Sequence, residues 1–276
     1  MLKGELTKAQ RWKLADYLAE TRLNEINKNC REVKPAGNFY SKYIKRLIDI
    51  LVSLMVLIIT FPINFVIFII TIITLGRPVF FRQERIGKDG KPFTIIKFRN
   101  MTNETDANGE LLPPAQRVTK CGKFLRKTSL DELLNFWSIL KGDMSLIGPR
   151  PLVPEYTHRY NAYHRNRLKV RPGLECPPRG KLKHIWTWHE QFDNDVWYVE
   201  NVSFLTDCKM VINLIKFALD RKSANARASV NKRGTFFGYN MEGRAINLDE
   251  VPQEIVDKLF DKENFIDNEK NMVSYE

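Results

Sequence analysis

Two acidic residues stand side by side at Asp131 and Glu132, inside the stretch "TSLDELLNFWSILKGDMSLIGPRP" at 128–151. Lys123, Arg126 and Lys127 precede them, and an apolar run follows. Ser129-x-x-Glu132 ahead of such a run reads as a capping box, with Asp131 favourable to the helix dipole. The same first turn has outward-pointing amides that attract anions. A carboxylate among cations has a depressed pKa and stays ionised, fit to bind Mg²⁺ or to attack phosphorus. Cap and catalyst are compatible, and the local pattern leaves both open.

Other chemistry-bearing patterns are sparse. Cys30, Cys121, Cys176 and Cys208 lie far apart with no CxxC pair, so neither a zinc site nor a disulfide framework is signalled. His158, His164, His184 and His189 form no HExxH, and no GK[ST] phosphate loop is present. The 276 residues carry 44 Lys+Arg against 32 Asp+Glu, a net +12 that points to anionic company: nucleic acid, an anionic membrane surface or a phosphorylated substrate. Nucleic acid is the weakest of these, because no helix-turn-helix, RNA-motif or zinc-finger signature occurs.

The elements that must position the pair include one very apolar stretch. From Ile50 to Leu75 no charge interrupts "ILVSLMVLIITFPINFVIFIITIITL", which exceeds the roughly 18 residues that mark a membrane helix. Pro62 lies near its centre and removes a backbone donor. A break there leaves halves of about 12 residues, too short for a hydrocarbon core of about 30 Å. Lys42, Lys45 and Arg46 precede the segment and Arg77, Arg82, Arg85 and Lys88 follow it. Basic flanks on both sides favour a re-entrant hairpin over a span. Asp49, at the mouth, is placed to pair with Arg46 or Lys45 as an interfacial anchor.

Elsewhere, residues 5–30 read as an amphipathic helix that lies on a membrane surface or packs on the domain. Residues 77–101 read as a basic β-hairpin around Gly87-Lys88-Asp89-Gly90. Solvation beside anionic lipid and phosphate binding by Lys97 and Arg99 are equally open for it. A helix from Leu130 to Leu140 should stop at Lys141-Gly142, and another apolar-periodic helix spans 204–219. From about Ser223 the chain is polar, with one weak amphipathic piece at 254–260, and reads as an appendage or a partly disordered tail.

At this point the residues resemble the bacterial sugar transferase family, the monotopic phosphoglycosyl transferases. The segments "KRLIDILVSL", "GRPVFFRQERIGKDGKPFTIIKFRNM", "RVTKCGKFLRKTSLDELLNFWSILKGDMSLIGPRPLVPEY", "VRPGL" and "WYVENVSFLTD" occur in the family's order and cover about 42–219. The resemblance implies transfer of sugar 1-phosphate from a UDP-sugar to polyprenyl (undecaprenyl) phosphate with release of UMP. It implies Mg²⁺, an Asp-Glu dyad at Asp131 and Glu132, and Asp131 as both nucleophile and metal ligand, forming an aspartyl phosphosugar intermediate. Arg126, Arg150, Lys97 and Arg99 match phosphate-binding positions, and Pro62 matches the break in a re-entrant membrane helix.

The implied fold is α+β and mainly helical: a small cytosolic domain with a β-hairpin, anchored by that helix and by interfacial amphipathic helices. The organisation read from the chain is an N-terminal amphipathic extension (1–38), the re-entrant helix (39–76), a catalytic domain (77–222) and a C-terminal appendage (223–276). The expected place is the cytoplasmic face of a bacterial inner membrane, in surface glycan or exopolysaccharide synthesis. Membrane lipid is an expected partner, and homo-oligomerisation stays open. The largest departure is Glu175-Cys176-Pro177-Pro178-Arg179, where members of the family commonly carry Thr-Gly-x-x-Gln-Val. A rival reading is a membrane-anchored basic binding protein in which the dyad survives only as a cap.

Overall fold

A computed structural model of the chain describes residues 2–107, 109, 111–179, 186–219 and 234–260. It is mainly helical, with three small two-stranded sheets. In chain order the elements are α1 (Lys8–Lys28), α2 (Lys45–Leu75), β1 (Phe80–Ile86), β2 (Pro92–Phe98), α3 (Pro114–Arg117), α4 (Lys120–Thr128), α5 (Asn135–Lys141), β3 (Ser145–Ile147), β4 (Gly173–Glu175), α6 (Trp188–Asn201), α7 (Phe204–Leu219), β5 (Gly238–Tyr239), β6 (Ala245–Ile246) and α8 (Gln253–Phe260).

α2 is the one helix among the described residues long and apolar enough to cross a membrane. Its central side chains face outward: Ile58, Ile59 and Phe61 are 66%, 65% and 68% exposed. Both of its ends pack on the rest of the chain. Near the start, Arg46 donates to the carbonyls of Ile139 (2.6 Å) and Leu140 (2.8 Å), capping the C-terminus of α5. Near the end, Ile67, Phe68 and Ile72 join Leu130, Leu134, Val79 and Phe98 in one apolar cluster at the opposite end of α5.

A straight helix would set Arg46 and Phe68 about 33 Å apart, whereas α5 is only about 10 Å long, so α2 bends. Helical backbone continues through Pro62, so the break expected there does not interrupt the helix. Proline removes one donor only, and the Thr60 hydroxyl, bonded to the Val56 carbonyl and to Asn64 Nδ2, ties the turns around it together.

Asp49 departs from its expected role. Its Oδ1 accepts from Ser145 Oγ and from the Leu146 amide, both at 3.0 Å, instead of pairing with Lys45 or Arg46. Lys45 is drawn to Asp207 (2.6 Å), which also accepts from the hydroxyls of Tyr40 and Tyr198. Asp207 thereby fastens the mouth of α2 to α6 and α7.

The hairpin forms as its turn residues require, with Ile86 paired to Pro92 and Asp89 and Gly90 at positive φ. β3 and β4 are parallel neighbours, with Ile147 opposite Glu175. Three-residue strands survive here because Gly173 allows close approach: a Cβ on it would lie 2.1 Å from the Gly148 nitrogen.

The two ends of the described chain pack on each other. Leu14, Ala15 and Leu18 of α1 are buried against Phe237, Ile246, Val251 and Val256; each fully buried leucine is worth about 1.5–3 kcal/mol. The apolar face of α1 is thus covered by protein, which resolves the two readings open for it. Of the two readings left open for the C-terminal region, an appendage or a partly disordered tail, 234–260 is ordered: Phe236 and Tyr239 insert among Tyr156, Tyr160, Trp188 and Phe192. The stretches 223–233 and 261–276 of the expected appendage lie outside the described residues.

Candidate active site

Asp131 and Glu132 lie in a single 3₁₀ turn, Leu130–Glu132, between α4 and α5. The capping box is absent. Ser129 sits in the left-handed region (φ 57°) as the C-cap of α4, makes no side-chain cap bond, and α5 begins only at Asn135. Glu132 is pulled elsewhere: its Oε1 accepts from Lys97 Nζ at 2.6 Å and from Arg150 Nη2 at 2.8 Å. Two charge-assisted bonds outweigh one capping bond.

Lys97 comes from β2, and Arg150 from the loop after β3. Arg150 Nη1 also donates to the Leu174 carbonyl (3.0 Å) and meets Glu175 Oε2 at 3.4 Å. Its own carbonyl accepts from Arg167 Nη2 (2.8 Å), and Arg167 is locked by Asp195 in a fully buried ion pair. The sequence reading therefore brings together Lys97, Glu132 and Arg150, and misses Arg167 and Asp195, whose partners are distant in sequence.

Asp131 is buried, and its Oδ2 accepts from Asn100 Nδ2 at 2.9 Å. Asn100 is held there by α4, where a Cβ on Gly122 would fall 1.9 Å from the Asn100 carbonyl oxygen. Arg126 faces Met101 Sδ at 3.8 Å and lends Asp131 electrostatic support. Arg99 is placed differently: its guanidinium donates to the Leu75 and Gly76 carbonyls, closing the C-terminus of α2. Nothing in this geometry turns Arg99 toward the dyad.

The two carboxylates differ electrostatically. Burial pushes Glu132 up, but Arg150 and Lys97 outweigh it and hold the group at about 2. Burial and then the neighbouring Glu132 push Asp131 up, with Lys97 and Arg126 opposing. The depressed pKa expected from Lys123, Arg126 and Lys127 falls on Glu132 and not on Asp131, and it comes from Lys97 and Arg150, which bond to Glu132. An apolar cleft of about 350 Å³ opens beside the turn, lined by Pro62, Ile63, Val66, Ile67, Ile70, Cys121, Phe124, Leu125 and Leu130. A buried acid next to a cation-clamped acid, at the edge of an apolar cleft, suits chemistry on an amphiphilic phosphate.

The sequence pattern of the bacterial sugar transferases matches residues 40–221, and the chain belongs to that family. It is similar to the Bacillus subtilis protein "Uncharacterized sugar transferase EpsL", 42% identical over 178 residues, which are 64% of this chain and 87% of that one. It is also similar to the Klebsiella pneumoniae "UDP-glucose:undecaprenyl-phosphate glucose-1-phosphate transferase", 37% identical over 65% of this chain and 41% of that one. The Salmonella typhimurium "Undecaprenyl-phosphate galactose phosphotransferase" is 34% identical over 67% of this chain and 42% of its own length. The chain thus spans less than half the length of the last two.

Proposed function

We propose that this chain transfers sugar 1-phosphate from a UDP-sugar to polyprenyl phosphate at the cytoplasmic face of a bacterial inner membrane. The observation that carries the reading is the separation of roles within the dyad: Glu132 clamped between Lys97 and Arg150, with Asp131 buried beside it and bonded to Asn100. Sugar-phosphate transfer to undecaprenyl phosphate in the names of the relatives supports it.

In the first step an Asp131 carboxylate oxygen attacks the phosphorus that bears the sugar. The bond from that phosphorus to the bridging oxygen breaks, its electron pair stays on the oxygen, and UMP leaves. In the second step an oxygen of polyprenyl phosphate attacks the same phosphorus and Asp131 departs as carboxylate. Arg126 and Lys97 stabilise Asp131 in its ionised form, and Arg150 supplies positive charge to the diphosphate.

The donor set fits Mg²⁺. Asp131 offers hard oxygen, and the raised pKa from burial and Glu132 is what a nearby cation relieves. Mg²⁺ usually takes one or two carboxylates together with water and phosphate oxygens; bound at Asp131, it would offset charge on the diphosphate.

The course of α2, with its start bonded to the C-terminus of α5 and its end packed on Leu130 and Leu134 ahead of α5, supports a re-entrant helix whose outward-facing middle enters one leaflet. The cleft beside Leu130 supports an acceptor with an apolar chain. The test is purified protein in lipid nanodiscs with undecaprenyl phosphate and a panel of UDP-sugars, reading released UMP. Asp131→Asn should abolish release and the covalent phosphosugar adduct; undiminished release by that variant would sink the assignment.

A further inference from the structure

Arg85 stands near the end of β1 with no carboxylate partner among the described residues. Its Nη2 donates to Gln83 Oε1 at 2.6 Å and its Nη1 reaches the Pro151 carbonyl at 3.5 Å, both neutral acceptors. Its Nε is buried and has no hydrogen-bond partner among the described residues. The end of β1 is fastened to the loop that follows Arg150, because the Ile86 amide donates to the Leu152 carbonyl at 3.0 Å. Burial and then the Arg150 guanidinium both work against the charge on Arg85. Tyr156, Glu132 and Glu155 offset this only in part, and Glu132 is already bonded to Lys97 and Arg150.

A half-buried guanidinium set beside another, with an orphaned donor and only neutral acceptors, is costly unless an anion completes it. A planar fork suits phosphate. Arg85 makes its bonds to Gln83 and Pro151 and none to Asp131, whose Oδ2 accepts from Asn100. In-line displacement places the departing group on the side away from the attacking oxygen.

Resting on the phosphotransfer reading above, we propose that Arg85 and Arg150 together form the site for the phosphate of the departing nucleoside monophosphate. That phosphate gains a negative charge when the bridging bond breaks, and the pair of guanidiniums meets it there. Polyprenyl phosphate enters afterwards to attack the phosphosugar and does not depend on Arg85.

The experiment separates the half-reactions in the full chain in nanodiscs. Exchange of labelled UMP into UDP-sugar follows the first, and kcat/KM for polyprenyl phosphate follows the second. Loss of charge-assisted bonds in Arg85→Gln should weaken UMP inhibition by roughly tenfold or more and slow exchange comparably, with kcat/KM for polyprenyl phosphate within about twofold of the parent. Arg85→Lys, which keeps the charge and the fold but loses the fork, should fall between the two. UMP inhibition unchanged in Arg85→Gln, or an equal fall in kcat/KM for polyprenyl phosphate, overturns the inference. Parent protein that exchanges no UMP with any UDP-sugar overturns the phosphotransfer reading itself, whatever the variants do.

Discussion

Replacing Glu132 by glutamine removes the charge on which Lys97 and Arg150 converge. The carboxyl is held at about 2 against an ordinary 4.5. At about 1.4 kcal/mol for each tenfold change in proton affinity, that is worth about 3 kcal/mol at neutral pH. Its side chain is 24% exposed, so solvent screening brings the figure nearer to about 2 kcal/mol. Because the folded pKa is depressed, the contribution is fully present above about 4.5 and disappears as the pH falls toward 2. For a chain of this size Glu132→Gln should therefore lower Tm by roughly 4–8 °C at pH 7. Parent and variant curves should converge as the pH falls from about 4.5 to about 2. Adding Lys97→Met should recover part of the loss, since it removes a cation left without its partner. The assay is thermal unfolding in detergent across that pH range. A Tm at pH 7 within about 1 °C of the parent, or a gap that persists unchanged at pH 3, would refute the clamp.

Three further outcomes are expected. Gly122→Ala should cost about 1–3 kcal/mol through overpacking and reduce turnover more than Km for UDP-sugar, because the displaced Asn100 loses Asp131; steady-state kinetics with unchanged kcat would contradict this. Burial lowers the pKa of His164, which is fully buried between Tyr239 and Asp193, so stability should fall as the pH drops through the unfolded-state value of about 6.5. A Tm that stays flat between pH 8 and 5.5 would count against a neutral buried imidazole. Cysteines introduced at the exposed positions Lys42 and Lys88, with the four native ones replaced, should react with an impermeant maleimide from the same side of the membrane. Opposite sides would show that α2 spans.

Much of this site was legible because the signals were local. The Gly87-Lys88-Asp89-Gly90 turn specified the hairpin, Gly142 ended α5 at φ 99°, and the apolar period of 204–219 matched α7. The dyad's position was legible as well, but its geometry was not: Ser129-x-x-Glu132 is a local rule, and Lys97, 35 residues away, overrode it. Charge counting was coarser than the structure around α2. Lys45, Arg46 and Arg85 counted as flanking cations, yet Lys45 pairs with Asp207, Arg46 caps α5 and Arg85 bonds to Gln83 and Pro151, leaving Lys42 on one side and Arg77, Arg82 and Lys88 on the other exposed. Arg99 reads together with Lys97 in the sequence, yet Lys97 bonds to Glu132 while Arg99 bonds to the Leu75 and Gly76 carbonyls. Adjacent strand residues point to opposite faces while residues two apart share one, and beyond Phe98 the strand ends, so that alternation no longer applies to Arg99. Periodicity showed apolar faces at 5–30 and 254–260 but not that they pack on each other, since neither partner specifies the other locally.

That last pairing has a temporal side. Arg22 donates to the Tyr239 carbonyl across 217 positions of chain. At about 5–20 residues per second of synthesis, α1 waits roughly 10–40 s for the segment that covers Leu14 and Leu18. During that interval α2 has already been made, with its apolar middle in search of lipid. The nascent chain therefore carries two uncovered apolar surfaces at once, the middle of α2 and the face of α1 that the C-terminal segment later covers.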